Sequence, residues 1–186
     1  MTIKKKAIFL DRDGTINVDI GYEFSIENCK ILPGVIEGLK LLVKDYVFFI
    51  VTNQSGIGLG FYPFETFLEF NSCVLEKLEA NDINITKTYC CPHAKDEGCD
   101  CRKPCTKFIE EARLEFGVDV KKSWVIGDHP SDILFGINAG CKTVFVLTGH
   151  GASHVEELKE KSIQPTIITD NFLAAANEIL KIDEGK

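Results

Sequence analysis

The stretch Ala7-Ile8-Phe9-Leu10-Asp11-Arg12-Asp13-Gly14-Thr15 decides how this chain is read. Four apolar residues run without a polar break and then stop at two carboxylates and a glycine. A short continuous apolar run of this kind suits a strand buried on both faces, as in a parallel sheet. The same signature recurs at residues 47–52, 123–128, 143–147 and 166–169, each ending near Gly, Asp or Asn. Helical periods lie between them. Val35, Leu39, Leu42 and Val43 share one face, and Phe64, Phe67, Leu68, Leu75 and Leu78 share another. Residues 171–181 close the chain as an amphipathic helix. Strand and helix alternating in this way predict an α/β fold with a mostly parallel central sheet and helices on both sides.

Composition agrees with a globular chain of this class. The 186 residues are 45% hydrophobic and 26% charged, which suits one sizeable core and a single domain over 1–186. The net charge of −7 comes with no basic stripe, so neither nucleic acid nor an anionic membrane is an expected partner. No apolar run approaches the roughly 18 residues that a spanning helix needs. The opening Met1-Thr2-Ile3-Lys4-Lys5-Lys6 leads into an apolar stretch too short for a signal peptide, and a cytoplasmic location is expected. Repeats, low-complexity segments and domain linkers are all missing from the sequence.

In open parallel sheets, ligands bind beyond the carboxyl ends of the strands. Four groups of polar residues fall there or nearby. Asp11 and Asp13 form a tight acidic turn. It reads either as a capped loop or as a catalytic pair, in which one acid attacks phosphorus and the other protonates the leaving oxygen and then activates water. Two acids facing a phosphate dianion repel it, so the second reading calls for a hard cation such as magnesium. Thr52-Asn53-Gln54-Ser55-Gly56 offers a hydroxyl and successive N–H groups to a phosphoryl group, or is an ordinary polar turn. Lys103 can neutralise charge on that group, and Arg102 can hold a phosphate or hydroxyl with its fork; a solvated basic pair is the alternative. Asp128 is placed as a metal ligand. Asp132 is placed either to support a metal-bound water or to cap a helix.

Taken together, FLDRDGT, TNQSG, RKP and GDHPSD occur in the order and spacing of the four motifs of the haloacid dehalogenase superfamily. The longer strings FLDRDGTIN, GYEF, ILPGV, VTNQSGIG, CPH and CDCRKP resemble the bacterial D-glycero-D-manno-heptose 1,7-bisphosphate phosphatases and the related histidinol-phosphatase domain. The resemblance spans about residues 8–151. It implies a Rossmann-like three-layer sandwich with little or no cap domain. It implies a phosphomonoesterase with Asp11 as nucleophile and Asp13 as general acid/base, with Lys103 contacting phosphate. Magnesium is implied on Asp11, Asp128 and the backbone carbonyl of Asp13, with Asp132 behind them. Thr52 and Asn53 are implied phosphate contacts, and Gln54, Ser55 and Arg102 substrate contacts. The expected partner is a small phosphorylated metabolite, and a monomer is expected.

Cysteine use is uneven. Five of the eight cysteines fall between Cys90 and Cys105. A disulfide framework and a chance cluster of buried cysteines are the plain alternatives. The preferred reading takes Cys91, His93, Cys99 and Cys101 as a closed tetrahedral zinc site in a loop over 90–104, a quartet that the resemblance also implies. Cys90 is expected to face the core and Cys105 to pack under the following helix. Zinc here would fix the loop carrying Arg102 and Lys103.

The substrate signals divide. The short His93–Cys99 stretch looks like the histidinol-phosphatase form. His129 stands where the heptose enzymes have lysine, and Cys105-Thr106-Lys107 replaces their Pro-Gly. Asn53-Gln54-Ser55-Gly56 and Gly21-Tyr22 point to the heptose enzymes. Removal of the 7-phosphate of heptose 1,7-bisphosphate is therefore the expected activity, with histidinol phosphate or another small sugar or polyol phosphate as the alternative substrate. A zinc-stabilised binding protein without catalysis is the more distant alternative; such a chain would be free to lose Asp11, Asp13, Lys103 or Asp128, and all four are present. His129, His150 and His154 either touch substrate or merely face solvent, and the solvent reading is preferred for each.

Overall fold

A computed structural model describes residues 4–22 and 25–185. Met1-Thr2-Ile3, the last two residues of the GYEF string and Lys186 lie outside them. Six strands form one sheet: β1 (Lys6–Leu10), β2 (Tyr46–Asn53), β3 (Ile85–Cys91), β4 (Trp124–Gly127), β5 (Lys142–Val146) and β6 (Ile167–Thr169). All neighbouring pairs are parallel, in the order β3-β2-β1-β4-β5-β6. The helices are α1 (Val35–Leu42), α2 (Ser55–Gly58), α3 (Phe64–Glu79), α4 (Lys107–Phe116), α5 (Pro130–Ala139), α6 (Gly151–Glu160) and α7 (Phe172–Asp183). Among the described residues, no helix is long and apolar enough to cross a membrane.

The period-two alternation of strand side chains divides the core into two layers. Ile8, Leu10, Phe48, Ile50, Trp124, Ile126, Val144 and Val146 face one side, where α1, α3 and α7 cover them. Ala7, Phe9, Phe49, Val51 and Val125 face the other, against α4 and α5. Phe145 joins Ile133 of α5 and Leu158 of α6 in a third, smaller cluster. This is the three-layer sandwich read from the apolar runs. The five expected strands lie within one residue of their predicted ends.

Three expectations need correction. Residues 85–91 form a sixth strand that the apolar-run criterion passed over. It lies at the sheet edge, with Tyr89 and Cys91 buried and Lys87 at the rim of the same face, its ammonium over the Tyr89 ring and 2.7 Å from Glu115. The buried face of α3 is Phe67, Phe70, Asn71, Val74 and Leu78, whereas Phe64 and Leu68 are exposed and Leu75 is only partly covered. The spacing of 67, 70, 74 and 78 follows the 3.6-residue period more closely than the face first chosen. Val43 is likewise exposed, because it caps α1 rather than continuing its inner face.

The order of the strands positions the site. From β1 the chain moves outward to β2 and β3, then returns to the other side of β1 to form β4. The crevice opens at this reversal. Leu10 pairs with Ile126 in register, and the Asp11 N–H donates to the Ile126 carbonyl at 2.9 Å. The residues that follow, Asp11 and Asp128, therefore emerge side by side.

Phe49 ties the sheet to its second layer. Its ring is fully buried and stacks on Phe9 with centroids 5.2 Å apart, and it meets Phe116 of α4 at 5.2 Å. Phe49→Ala is expected to cost about 3–5 kcal/mol of stability. Urea unfolding reads this as a lower midpoint at unchanged slope, and a loss under about 1 kcal/mol would contradict the packing described.

Candidate active site

The acidic turn after β1 is tight because its backbone bonds to itself. The Ile16 and Asn17 N–H groups both donate to the Arg12 carbonyl, at 2.8 and 3.1 Å, and the Gly14 N–H donates to the Asn17 carbonyl at 2.8 Å. Gly14 adopts φ +81°, and a β-carbon there would stand 2.2 Å from Asp128 Oδ2. Gly149, at φ +56°, would bring its own β-carbon equally close to the same oxygen. Two left-handed glycines thus leave the space that the Asp128 carboxylate occupies.

Lys103 reaches into this space from the loop before α4. Its side chain is almost fully buried, and Nζ lies 2.5 Å from Asp11 Oδ1 and 2.6 Å from Asp132 Oδ1. It also donates to the Val51 carbonyl at 2.8 Å. Burial alone would depress the ammonium, but the charges of Asp11 and Asp132 outweigh it and hold the lysine above its ordinary range. Burial pushes the Asp11 carboxyl well above the usual carboxylate range; Lys103 opposes this, and Asp132 and Asp128 reinforce it. Asp128 is pushed up to about 7, first by burial and then by Asp132. Asp11, Asp128 and Asp132 each offer an oxygen within 4.8 Å of the others. One lysine facing three close carboxylates leaves excess negative charge, and the all-oxygen donor set suits a hard divalent cation.

Asp132 is placed as the helix-cap reading expects, and it also pairs with the site lysine. It caps α5, accepting the His129 N–H at 3.0 Å, and it faces Lys103. At the end of β2, Asn53 Oδ1 accepts the Lys103 N–H at 3.0 Å, so this side chain holds the lysine's backbone. Gln54 Nε2 donates to Thr52 Oγ1 at 2.6 Å and to Asp13 Oδ2 at 2.9 Å. Arg102 Nη1 donates to Ser55 Oγ at 2.8 Å and to the His93 carbonyl at 3.3 Å.

The cysteine loop lies directly beside these groups. Cys91 Sγ is 3.6 Å from both His93 Nδ1 and Cys99 Sγ, while Cys101 Sγ is 3.2 Å from Cys91 Sγ and 3.3 Å from His93 Nδ1. All four cysteines and histidines of the predicted quartet fall within 4.8 Å of one another and can hold a metal ion. None of the cysteines is in a disulfide. Two spare cysteines depart from expectation. Cys90 points away from Cys91 as predicted, yet it is only half-buried and joins none of the core clusters, because β3 is the edge strand. Cys105 is exposed rather than packed, since α4 begins two residues later and turns Phe108 and Ile109 inward.

A cavity of about 420 Å³ opens above the strand ends, with Asp11, Asp13 and Asp128 in its floor and Tyr22, Arg102 and His150 among its walls. His129 lines it as well, so two of the three histidines face the cavity rather than bulk solvent alone. His150 reaches Asp19 at 3.2 Å, and His154 sits behind His129 with ring centroids 4.5 Å apart. Sequence reasoning passed over Arg12, Asn17, Asp19 and Tyr62, all of which touch site residues. Arg12 was visible within DRDG. Asn17 was visible as the last residue of FLDRDGTIN, whereas Asp19 and Tyr62 carried no local signal.

Comparison with known proteins places this geometry in context. Residues 100–175 match the HAD-hydrolase-like family model. A D-glycero-alpha-D-manno-heptose-1,7-bisphosphate 7-phosphatase of Campylobacter jejuni subsp. jejuni is 42% identical over 146 residues, covering 78% of this chain and 84% of the relative. The D-glycero-beta-D-manno-heptose-1,7-bisphosphate 7-phosphatase of Haemophilus influenzae is 41% identical over 152 residues, covering 77% and 83%. Among solved structures, the D,D-heptose 1,7-bisphosphate phosphatase from B. bronchiseptica, complexed with magnesium and phosphate, superposes with a TM-score of 0.85 at 28% identity, over 95% of this chain and 99% of that one. The chain belongs to the haloacid dehalogenase-like hydrolases, in the same family as these heptose-bisphosphate phosphatases.

Proposed function

We propose that this chain is a magnesium-dependent phosphomonoesterase that removes the 7-phosphate of D-glycero-D-manno-heptose 1,7-bisphosphate through an aspartyl phosphate on Asp11. The observation that carries the reading is Asp11 at the switch point of the sheet, ion-paired to buried Lys103 and flanked by Asp128 and Asp132. Lys103 opposes the burial that raises the Asp11 carboxyl and is shared with the phosphoryl oxygens as they arrive. Asp11 attacks phosphorus while Asp13 protonates the departing sugar oxygen. Asp13 then takes a proton from the water that releases phosphate.

Asp11 and Asp128 would hold magnesium, with Asp132 behind them, and the excess carboxylate charge supports a hard ion there. Bound magnesium would offset the charge shared by carboxylates and phosphate and orient the phosphoryl group. The cysteine–histidine quartet suits zinc. Ligand bonds of about 2.3 Å to sulfur and 2.05 Å to nitrogen imply tetrahedral edges of about 3.8 and 3.6 Å, near the 3.2–3.6 Å separations observed. Zinc would act mechanically, holding the His93 carbonyl against Arg102.

Asp11→Asn is expected to lower turnover by at least about a thousand-fold, because an amide is a poor nucleophile for phosphorus; normal turnover would sink the mechanism. Phosphate release from both anomers of heptose 1,7-bisphosphate and from histidinol phosphate tests the substrate. A kcat/KM higher by about a hundred-fold for a heptose anomer is expected, equivalent to about 2.7 kcal/mol. The reverse ranking would assign the chain to histidinol phosphate.

The metal sites give two further expectations. Cys99→Ser should raise the KM for the heptose substrate while leaving magnesium binding intact. Unchanged KM would remove the mechanical role of the loop. Asp128 is raised from 3.8 to about 7, so between those values the folded state keeps a proton that the unfolded chain has lost. Its contribution is therefore fully present below about 3.8 and is lost as pH rises through about 7. With chelator present, the wild type should lose more Tm between pH 5 and pH 8 than Asp128→Asn does. Adding magnesium should shrink that difference. Parallel pH profiles would contradict the burial assigned to this carboxyl.

A further inference from the structure

Asp13 is held more tightly than a cavity-lining acid requires. Arg12 Nε donates to its Oδ1 at 3.1 Å and Arg12 Nη2 to its Oδ2 at 2.8 Å. Asn17 Nδ2 adds a bond to Oδ1 at 2.9 Å, and Gln54 Nε2 one to Oδ2 at 2.9 Å. An ionised carboxylate offers about four acceptor sites, and here four donors meet it. The Gln54 amide is fixed in this sense by Tyr62, whose hydroxyl donates to Oε1 at 2.8 Å.

Arg12 differs from the other donors. It is fully buried while its neighbour Asp13 keeps 20% of its side chain exposed. Its guanidinium lies 5.1 Å from the ring centroids of both Phe67 and Phe70, which belong to the buried face of α3. Cation–π contact with two buried rings fixes the plane of the guanidinium. The two-point contact with the carboxylate then transfers that plane to Asp13. Through Arg12 the helix thus sets the direction of the Asp13 side chain.

We infer that Arg12, clamped by Phe67 and Phe70, is a positioning residue that aims the Asp13 carboxyl for proton transfer. The inference rests on the reading of Asp13 as general acid and base. In the first step the Asp11–phosphorus bond forms, the bond from phosphorus to the sugar oxygen breaks, and the proton of Asp13, which in its acid form gives up one of these four contacts, passes to that oxygen. In the second step water gives a proton to Asp13 as its oxygen bonds to phosphorus and the Asp11–phosphorus bond breaks. Both transfers depend on where the carboxyl points. Lysine at position 12 keeps the charge and loses the fork, so it holds Asp13 without fixing its plane.

The test reads single-turnover formation of the phosphoenzyme, with magnesium, from two phosphate esters. A sugar phosphate needs its alkoxide protonated, whereas p-nitrophenyl phosphate releases a phenolate that leaves without a proton. Arg12→Lys is expected to slow the sugar phosphate at least ten-fold more than the aryl phosphate. A merely structural role would slow both alike, and equal slowing or no slowing overturns the inference. Asp13→Asn is run beside it. If Asp13→Asn shows no such split, the acid/base reading itself falls; if it shows the split and Arg12→Lys does not, only the inference falls. Should Arg12→Lys fail to fold, Phe67→Leu with Phe70→Leu releases the guanidinium from its rings and must show the same split in smaller measure.

Discussion

Everything at the mouth of this sheet depends on one buried ammonium. Lys103 stands between Asp11 and Asp132 at 2.5 and 2.6 Å, and the side chains of the two acids keep only 12% and 2% of their surface exposed. Burying a carboxylate is costly unless it is paired, and burying three within 4.8 Å compounds the cost by mutual repulsion. The fold therefore has to deliver a cation to the strand ends, and it does so through a loop rather than through a strand or helix. That loop must be rigid, because an ammonium displaced by an ångström leaves two acids unpaired. Two anchors supply the rigidity: Asn53 Oδ1 on the Lys103 N–H, and the Cys101 thiol two residues earlier in the quartet.

This explains why the cysteine loop lies where it does. Cys91 ends β3, beside the end of β2, and Cys101 leads directly into Arg102 and Lys103. An ion holding both sulfurs would tie the sheet edge to the loop that carries the cations. Such a tie would add to the polar contacts that hold residues 102–104, which run from Arg102 to Ser55, from Lys103 to Asn53 and Asp11, and from the Pro104 carbonyl to Asn138. A single edge strand and one metal would thus stabilise geometry that a larger protein obtains from an additional packed layer.

What the sequence made legible follows the same division between local and distant causes. The strands were read because buried parallel strands are continuous apolar runs, and the acids at their ends were found by position. The edge strand 85–91 was missed because it has a polar face and ends in cysteines that already had another explanation. The inward face of α3 was read correctly at Phe67 and Leu78 and wrongly elsewhere, because Phe64 and Leu68 are as apolar as Phe70 and Val74; only the sheet and Arg12 decide which of them turn inward. Tyr62 was invisible for a related reason. It reaches the site through a turn whose course no nearby residue announces, and it matters through its partner Gln54.

The cavity shows where chemistry and selectivity part. Its floor comes from strand ends whose backbone is fixed by the ladder, and its walls come from loops: Asp19 and Tyr22 after β1, Arg102 beside the quartet, and His150 after β5. A substituted loop residue changes what fits without disturbing the floor. His129 illustrates the point, because its backbone N–H is tied to Asp132 while its ring is turned toward the cavity and His154. Its backbone N–H and its Nδ1, which accepts the Ser131 N–H at 3.1 Å, both serve the cap of α5 and so the position of Asp128, one residue before; only the rest of the ring is presented to the cavity. Replacing a long flexible ammonium by an imidazole at such a place shortens its reach but leaves the acidic centre intact. The phosphoryl chemistry therefore reads clearly from the strand ends, and the identity of the leaving sugar is written in the walls.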